Sequence, residues 1–118
     1  MTIKIKRIYD EPGPEDGYRV LVDRLWPRGL TKEKAHLDEW AKEIAPSNEL
    51  RKWFHADRTK WSEFKRKYLA ELKARQEQLN HLALLSRKGQ LTLLYSSVET
   101  ERNHAVILAD LLVKLKSG

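Results

Sequence analysis

The chain has 118 residues, 41% of them hydrophobic and 34% charged, which is the size and balance of one well-solvated domain spanning residues 1–118. It has no cysteine, which excludes disulfides, thiolate zinc sites and cysteine nucleophiles, and a small chain that needs no disulfide fits a reducing cytoplasm. The net charge is +6, and residues 51–75 supply all of it with nine Lys/Arg against three Asp/Glu, so a polyanion belongs among the partner classes to weigh.

In chain order, Met1 to Lys6 alternates apolar and polar residues and lacks the apolar block of a secretion signal. No apolar run approaches the roughly 18 residues that cross a bilayer, so no membrane partner is expected. Ile3 to Ile8 alternates with period two and predicts a half-exposed strand. Glu11 to Gly17 is dense in proline and glycine and predicts a loop. Arg19 to Val22 predicts a buried strand, with Asp23 and Arg24 at its end. Trp26-Pro27-Arg28-Gly29 breaks the chain, after which Thr31 caps a short helix over Lys32–Ala35. Leu37 to Ala45 fits strand or helix equally well.

Pro46-Ser47 predicts a helix start, with Leu50, Trp53 and Phe54 on one face. A longer helix follows, its stripe made by Trp61, Phe64, Tyr68, Leu69 and Leu72. Leu79, Leu82, Ala83 and Leu85 continue that signal until Gly89 stops it. Leu91 to Ser96 is a short apolar run of the kind that forms a buried parallel strand. A polar turn then leads to a last helix with Ala105, Leu108, Leu112 and Leu115 as its core stripe. This order predicts a small Rossmann-like layered α/β domain, a three- or four-stranded, mainly parallel sheet flanked by helices.

In open α/β sheets, ligands bind beyond the C-terminal ends of the strands. Two such ends here are polar. The first carries Asp23, Arg24, Trp26 and Arg28, and the second carries Tyr95, Ser96, Ser97, Glu99, Asn103 and His104. If both strands are central and parallel, the two loops face each other. Arg24 and Arg28 then offer forked donors to a phosphate or carboxylate. The second loop enters a helix N-terminus, which favours an anion. Asp23 and His104 are the candidate acid–base pair, with Tyr95 or Ser96 orienting a substrate. His55, after Trp53-Phe54, is a further ligand-binding candidate.

Each residue also has a plainer role. Asp23 and Arg24 could form an ion pair that ends a strand, Arg28 could bond loop carbonyls, and Ser96 or Ser97 could cap a helix. His55 could be a buried, satisfied histidine, and the four tryptophans could be core, with Trp26 at the pocket wall. No Gly-x-x-x-x-Gly-Lys loop, Gly-x-Ser-x-Gly elbow or histidine pair at metal-ligand spacing occurs, so no cofactor or metal is expected. Lys60, Arg66, Lys67 and Lys73 spread around a polar helix face interrupted by Glu63 and Glu71, which is the pattern of a solvated face.

Three blocks carry a family resemblance. They are Gly17 to Gly29, then Glu39-Trp40 with Lys42 to Ser47 and Glu49 to His55, and finally Leu91 to Ser96 with Asn103-His104-Ala105. Together they resemble the YeaO-like proteins, a bacterial family within a larger group of domains of unknown function. The resemblance covers nearly the whole chain and implies a small α/β fold, but no reaction. Other branches of that larger group end the last strand with a cysteine and carry Cys-His-Arg at the following helix. The corresponding positions here are Tyr95, Asn103, His104 and Ala105, so only the histidine is shared and a cysteine mechanism is ruled out.

Three functional expectations follow. The first is a cytosolic protein that binds a small anionic ligand, a nucleotide or phosphorylated metabolite, and acts as a transferase or hydrolase if it is an enzyme. The second is a nucleic-acid-binding or nucleic-acid-modifying module. The third is a non-enzymatic module for a protein partner, with the polar motifs serving only the fold.

Overall fold

The computed structural model describes residues 3–117; Met1, Thr2 and Gly118 lie outside them, as does the start of the N-terminal alternation. Four strands form one sheet in the order β1-β4-β2-β3: β1 is Ile3–Arg7, β2 Tyr18–Leu21, β3 Glu39–Trp40 and β4 Leu91–Tyr95. Every neighbouring pair is parallel, with Ile5 opposite Leu93, Val20 opposite Leu93, and Val20 opposite Glu39. Among the described residues the α-helices are α1 Lys32–Ala35, α2 Asn48–Ala56, α3 Trp61–Leu72, α4 Gln76–Lys88 and α5 His104–Ser117. Among the described residues, no helix is long and apolar enough to cross a membrane.

β4 is central and buried along its whole length, which is why it reads as a continuous apolar run. Alternation along the strands makes two cores. Ile3, Val20, Leu91, Leu93 and Tyr95 face the layer of α2 to α5 and meet Phe64, Tyr68, Leu82, Leu108 and Leu112. Leu21 and Leu94 face the other way, onto Ile8, Ala35, Trp26, Leu30 and Leu37.

The crossover from β1 to β2 contains a single 3-10 turn, Pro14–Asp16, in place of a helix. Its anchor is Asp16, fully buried on the second face of the sheet and salt-bridged to Lys4, Lys6 and Arg19. Thr92 donates its hydroxyl proton to the Asp16 carbonyl at 2.6 Å. Gly17 then turns the chain into β2 with φ 64°, and a Cβ there would fall on the Gln90 carbonyl oxygen.

The caps fall where expected: the Thr31 side chain accepts from Lys34 N–H, and that of Ser47 from Leu50 N–H. The ambiguous stretch becomes β3 and a 3-10 turn, Lys42–Ile44. Three features differ from expectation. The single long helix is two, because Ala74 N–H and Arg75 N–H bond three residues back, to Glu71 and Leu72, and end α3. Gly89 ends α4 where expected, but with extended backbone at φ 173° in place of a left-handed turn. None of the tryptophans is fully buried; Trp53 and Trp61 pack on the edge of the core, and Trp40 is exposed with its edge against Trp26.

Candidate functional site

β2 and β4 are adjacent, central and parallel, so the loops leaving their C-terminal ends open on the same edge of the sheet. A cavity of 510 Å³ lies there. It is lined by Asp23, Arg24, Trp26 and Arg28 from the first loop, and by Ser96, Ser97, Arg102, Asn103 and His104 from the second. α2 roofs it with Arg51, Phe54 and His55, and Arg58 adds to the wall just beyond the helix.

Each loop is fixed by hydrogen bonds that its sequence supplies. Asp23 does not pair with Arg24. Its Oδ2 accepts from Ser96 N–H at 2.9 Å and Ser96 Oγ–H at 2.7 Å, tying the two loops together. His104 Nε2 is 2.9 Å from the Val22 carbonyl oxygen and 2.9 Å from Asp23 Oδ1. Both neighbours are acceptors, so Nε2 carries a proton and Nδ1 is the ring's second exchangeable position. The hydrogen bond is aligned on Val22; Asp23 Oδ1 is buried beside the ring as a close charge without an aligned donor. Burial pushes the Asp23 carboxyl up, but the His104 imidazole and the Ser96 hydroxyl and amide outweigh it and hold the group below its ordinary value.

Arg24 reaches back over the loop and donates to the Pro46 and Ala45 carbonyls at 3.1 and 3.2 Å. That contact pins the chain just before the Ser47 cap of α2, so Arg24 positions the roof of the cavity. Arg7 does the same for the second loop, donating to the Ser97 and Ser96 carbonyls at 2.9 and 3.2 Å. Asn103 is the buried N-cap of α5: its Oδ1 accepts from Val106 N–H, and its Nδ2 donates to the Glu99 carbonyl. Trp26 walls the cavity and donates from Nε1 to the Leu30 carbonyl.

The sequence candidates Asp23, Arg24, Trp26, Arg28, His55, Ser96, Asn103 and His104 are therefore brought to one cavity. Tyr95 is not among its lining residues; it is buried in the helix-side core, where burial raises its hydroxyl pKa. His55 is exposed at the mouth and not buried, with Nδ1 3.1 Å from Arg58 Nη2. Arg51, Arg58 and Arg102 were not among the site candidates of the sequence, and Phe54 was read only as part of a helix face. Arg51 and His55 stand four apart on one face of α2, which is the signal the sequence offered; Arg58 lies past the helix end and Arg102 in a loop, where no periodicity marks them.

The cavity lining carries five arginines against one carboxylate, Asp23. Arg28, Arg51, Arg58 and Arg102 all line it, and none takes part in a salt bridge among the described residues. Arg51 Nε is a buried donor without a hydrogen-bond partner. Guanidinium groups lining a concave wall without a salt-bridge partner favour an anion, because they offer it charged, forked donors.

Comparison with known proteins gives the family. The model of the inactive DUF488-N3 subclade matches residues 2–117, and the chain belongs to that family. It is similar to the uncharacterised protein YeaO of Escherichia coli (strain K12), at 51% identity over 115 residues, covering 98% of this chain and 100% of the relative. It is also similar to the uncharacterised proteins Rv3073c of Mycobacterium tuberculosis (strain H37Rv) and Mb3100c of Mycobacterium bovis, each at 37% identity over 93% of this chain and 92% of the relative. No solved structure matches.

Proposed function

We propose that this member of the inactive DUF488-N3 subclade binds a small anionic ligand, a nucleotide or phosphorylated metabolite, at the C-terminal ends of β2 and β4. The observation that carries the reading is the set of four arginines, 28, 51, 58 and 102, lining one cavity with no salt-bridge partner among the described residues. The family's description as inactive agrees with a protein that holds its ligand without turning it over.

Thermal melting against phosphates, nucleotides, sugar phosphates and short oligonucleotides tests this. A ligand at 100 times its Kd stabilises the fold by about 2.7 kcal/mol, a visible shift in melting temperature. The shift is expected with a small anion and should vanish in the double variant Arg28→Ala/Arg51→Ala. A response to oligonucleotides alone, falling steeply with salt, would replace the small ligand by nucleic acid. No response to any member of the panel would contradict the proposal and turn attention to a protein partner.

A second reading is favoured by the contact of His104 Nε2 with Asp23 at 2.9 Å. Such a pair fits acid–base work in a transferase or hydrolase, with Nδ1 as the proton-exchanging atom and Ser96 holding Asp23 in place. Phosphate release from a bound ligand, abolished by His104→Ala, would establish turnover. Stable ligand over many hours would leave binding as the function.

A further inference from the structure

The cationic cavity has a neighbour. A second cavity of 280 Å³ is lined by Phe54, Arg58, Thr59, Glu99 and Arg102, and it shares Phe54, Arg58 and Arg102 with the first. The two chambers therefore adjoin at these three residues. Arg58 is already held in place, with Nη2 at His55 Nδ1 and its guanidinium over the Phe54 ring at 5.9 Å. A pre-positioned arginine loses less freedom when it takes a ligand.

The small chamber contains one carboxylate. Glu99 Oε2 accepts from the Glu101 and Arg102 backbone N–H groups at 2.9 and 3.2 Å, and these bonds keep the group ionised. The chamber's balance is two guanidinium groups against one carboxylate. The Thr59 hydroxyl is engaged with Asp57, so the chamber's charged donors are the two arginines.

The rim of the main chamber points to the rest of the ligand. Tyr9, Leu25 and Val98 line it and are three of the six exposed large hydrophobic residues among those described. Val98 is 84% exposed and Leu25 58%. A bare phosphate offers such side chains nothing to bury, whereas a ring does.

Resting on the binding function proposed above, we infer that the ligand is a nucleoside di- or triphosphate, its ring in the main chamber and its phosphate chain crossing Arg58 and Arg102 into the smaller one.

Calorimetric titration of the full chain, in EDTA, with the mono-, di- and triphosphates of adenosine, guanosine and uridine and with inorganic tripolyphosphate tests this. For at least one base, affinity should rise about tenfold or more from mono- to triphosphate, the worth of one added charge-assisted contact. Arg58→Met and Arg102→Met should each cut triphosphate affinity more than monophosphate affinity, and Glu99→Gln should raise the triphosphate preference. Equal affinity along the phosphate series, with the variants acting alike on all members, would overturn the inference and leave the anion-binding function intact. Tripolyphosphate binding as tightly as the nucleotides would overturn the assignment of the ring. No binding by any of these probes would overturn this inference, and loss of the melting response to every other phosphate as well would remove the binding function with it.

Discussion

Asp23 joins the two strand ends through Ser96 and sits against His104, and it does so from a largely buried position, its side chain 11% exposed. Replacing it with alanine removes two hydrogen bonds to a charged acceptor and leaves the Ser96 amide without its partner. The expected cost is about 2–3 kcal/mol, read by urea denaturation. A loss below a few tenths of a kcal/mol would show that the two loops hold their positions without it. The pairing of Asp23 with His104 was legible because both residues flank strand ends that the apolar pattern places side by side. The orientation of Tyr95 was not. In a strand buried on both faces, both alternating sets are apolar, so the pattern does not say which side the last residue takes. Arg24 was read as a ligand group from its place after a strand. Its two bonds to the Ala45 and Pro46 carbonyls give it a structural task, and Arg24→Ala should lower stability by about 2–3 kcal/mol by leaving two acceptors in buried residues unmet. Arg28→Ala, on an exposed side chain, should leave stability within about 0.5 kcal/mol of the parent, and parallel melts of the two variants separate the roles.

At the scale of elements, the cavity depends on α2 being held over the strand ends and on α5 starting beneath them. Asn103 serves the second requirement. Asn103→Ala should cost about 1–2 kcal/mol through the lost cap. Asn103→Asp keeps the capping oxygen but brings a negative charge to the cavity wall. It should retain most of the stability while weakening anion binding, and equal losses in both would mean that Asn103 acts through the fold alone. The helices themselves were legible from their stripes and caps. The roofing role of α2 was not, since a basic polar face looks the same whether water or a cavity lies over it. The break between α3 and α4 was hidden for another reason: Lys73-Ala74-Arg75 contains no glycine or proline, and the turn is made by ordinary residues with bonds three positions apart. The first crossover hid its anchor too. An aspartate in a proline-glycine loop reads as a turn residue, and only Lys4 and Lys6, on one face of β1, hint that it meets charge from a strand.

Across the whole molecule, charge gathers at two places, one face of the sheet and the C-terminal edge of its strands. On the face, Lys4, Lys6 and Arg19 surround the buried Asp16, whose carboxyl is raised by burial but held well below its usual range by their hydrogen bonds and that of Gly13 N–H. Its folded-state pKa is depressed, so its contribution to stability is fully present above the unfolded value of about 3.9 and is lost as pH falls through the folded value. Asp23 acts in the same direction. Denaturation should therefore become easier as the pH falls below about 4, and Asp16→Asn should destabilise the protein at pH 7 while flattening that acid limb. An unchanged acid limb in Asp16→Asn would assign the acid sensitivity elsewhere. At the strand ends, by contrast, Arg28, Arg51, Arg58 and Arg102 form no salt bridge among the described residues, and the central claim is that this is where an anion is held. The most direct measurement is a map of backbone amide chemical shifts during titration with a nucleoside triphosphate. The account predicts saturating changes at Asp23–Arg28, Arg51–Arg58 and Ser96–His104, with the amides around Asp16 and Lys4 unmoved. Saturable changes centred elsewhere, or none at millimolar ligand, would contradict it.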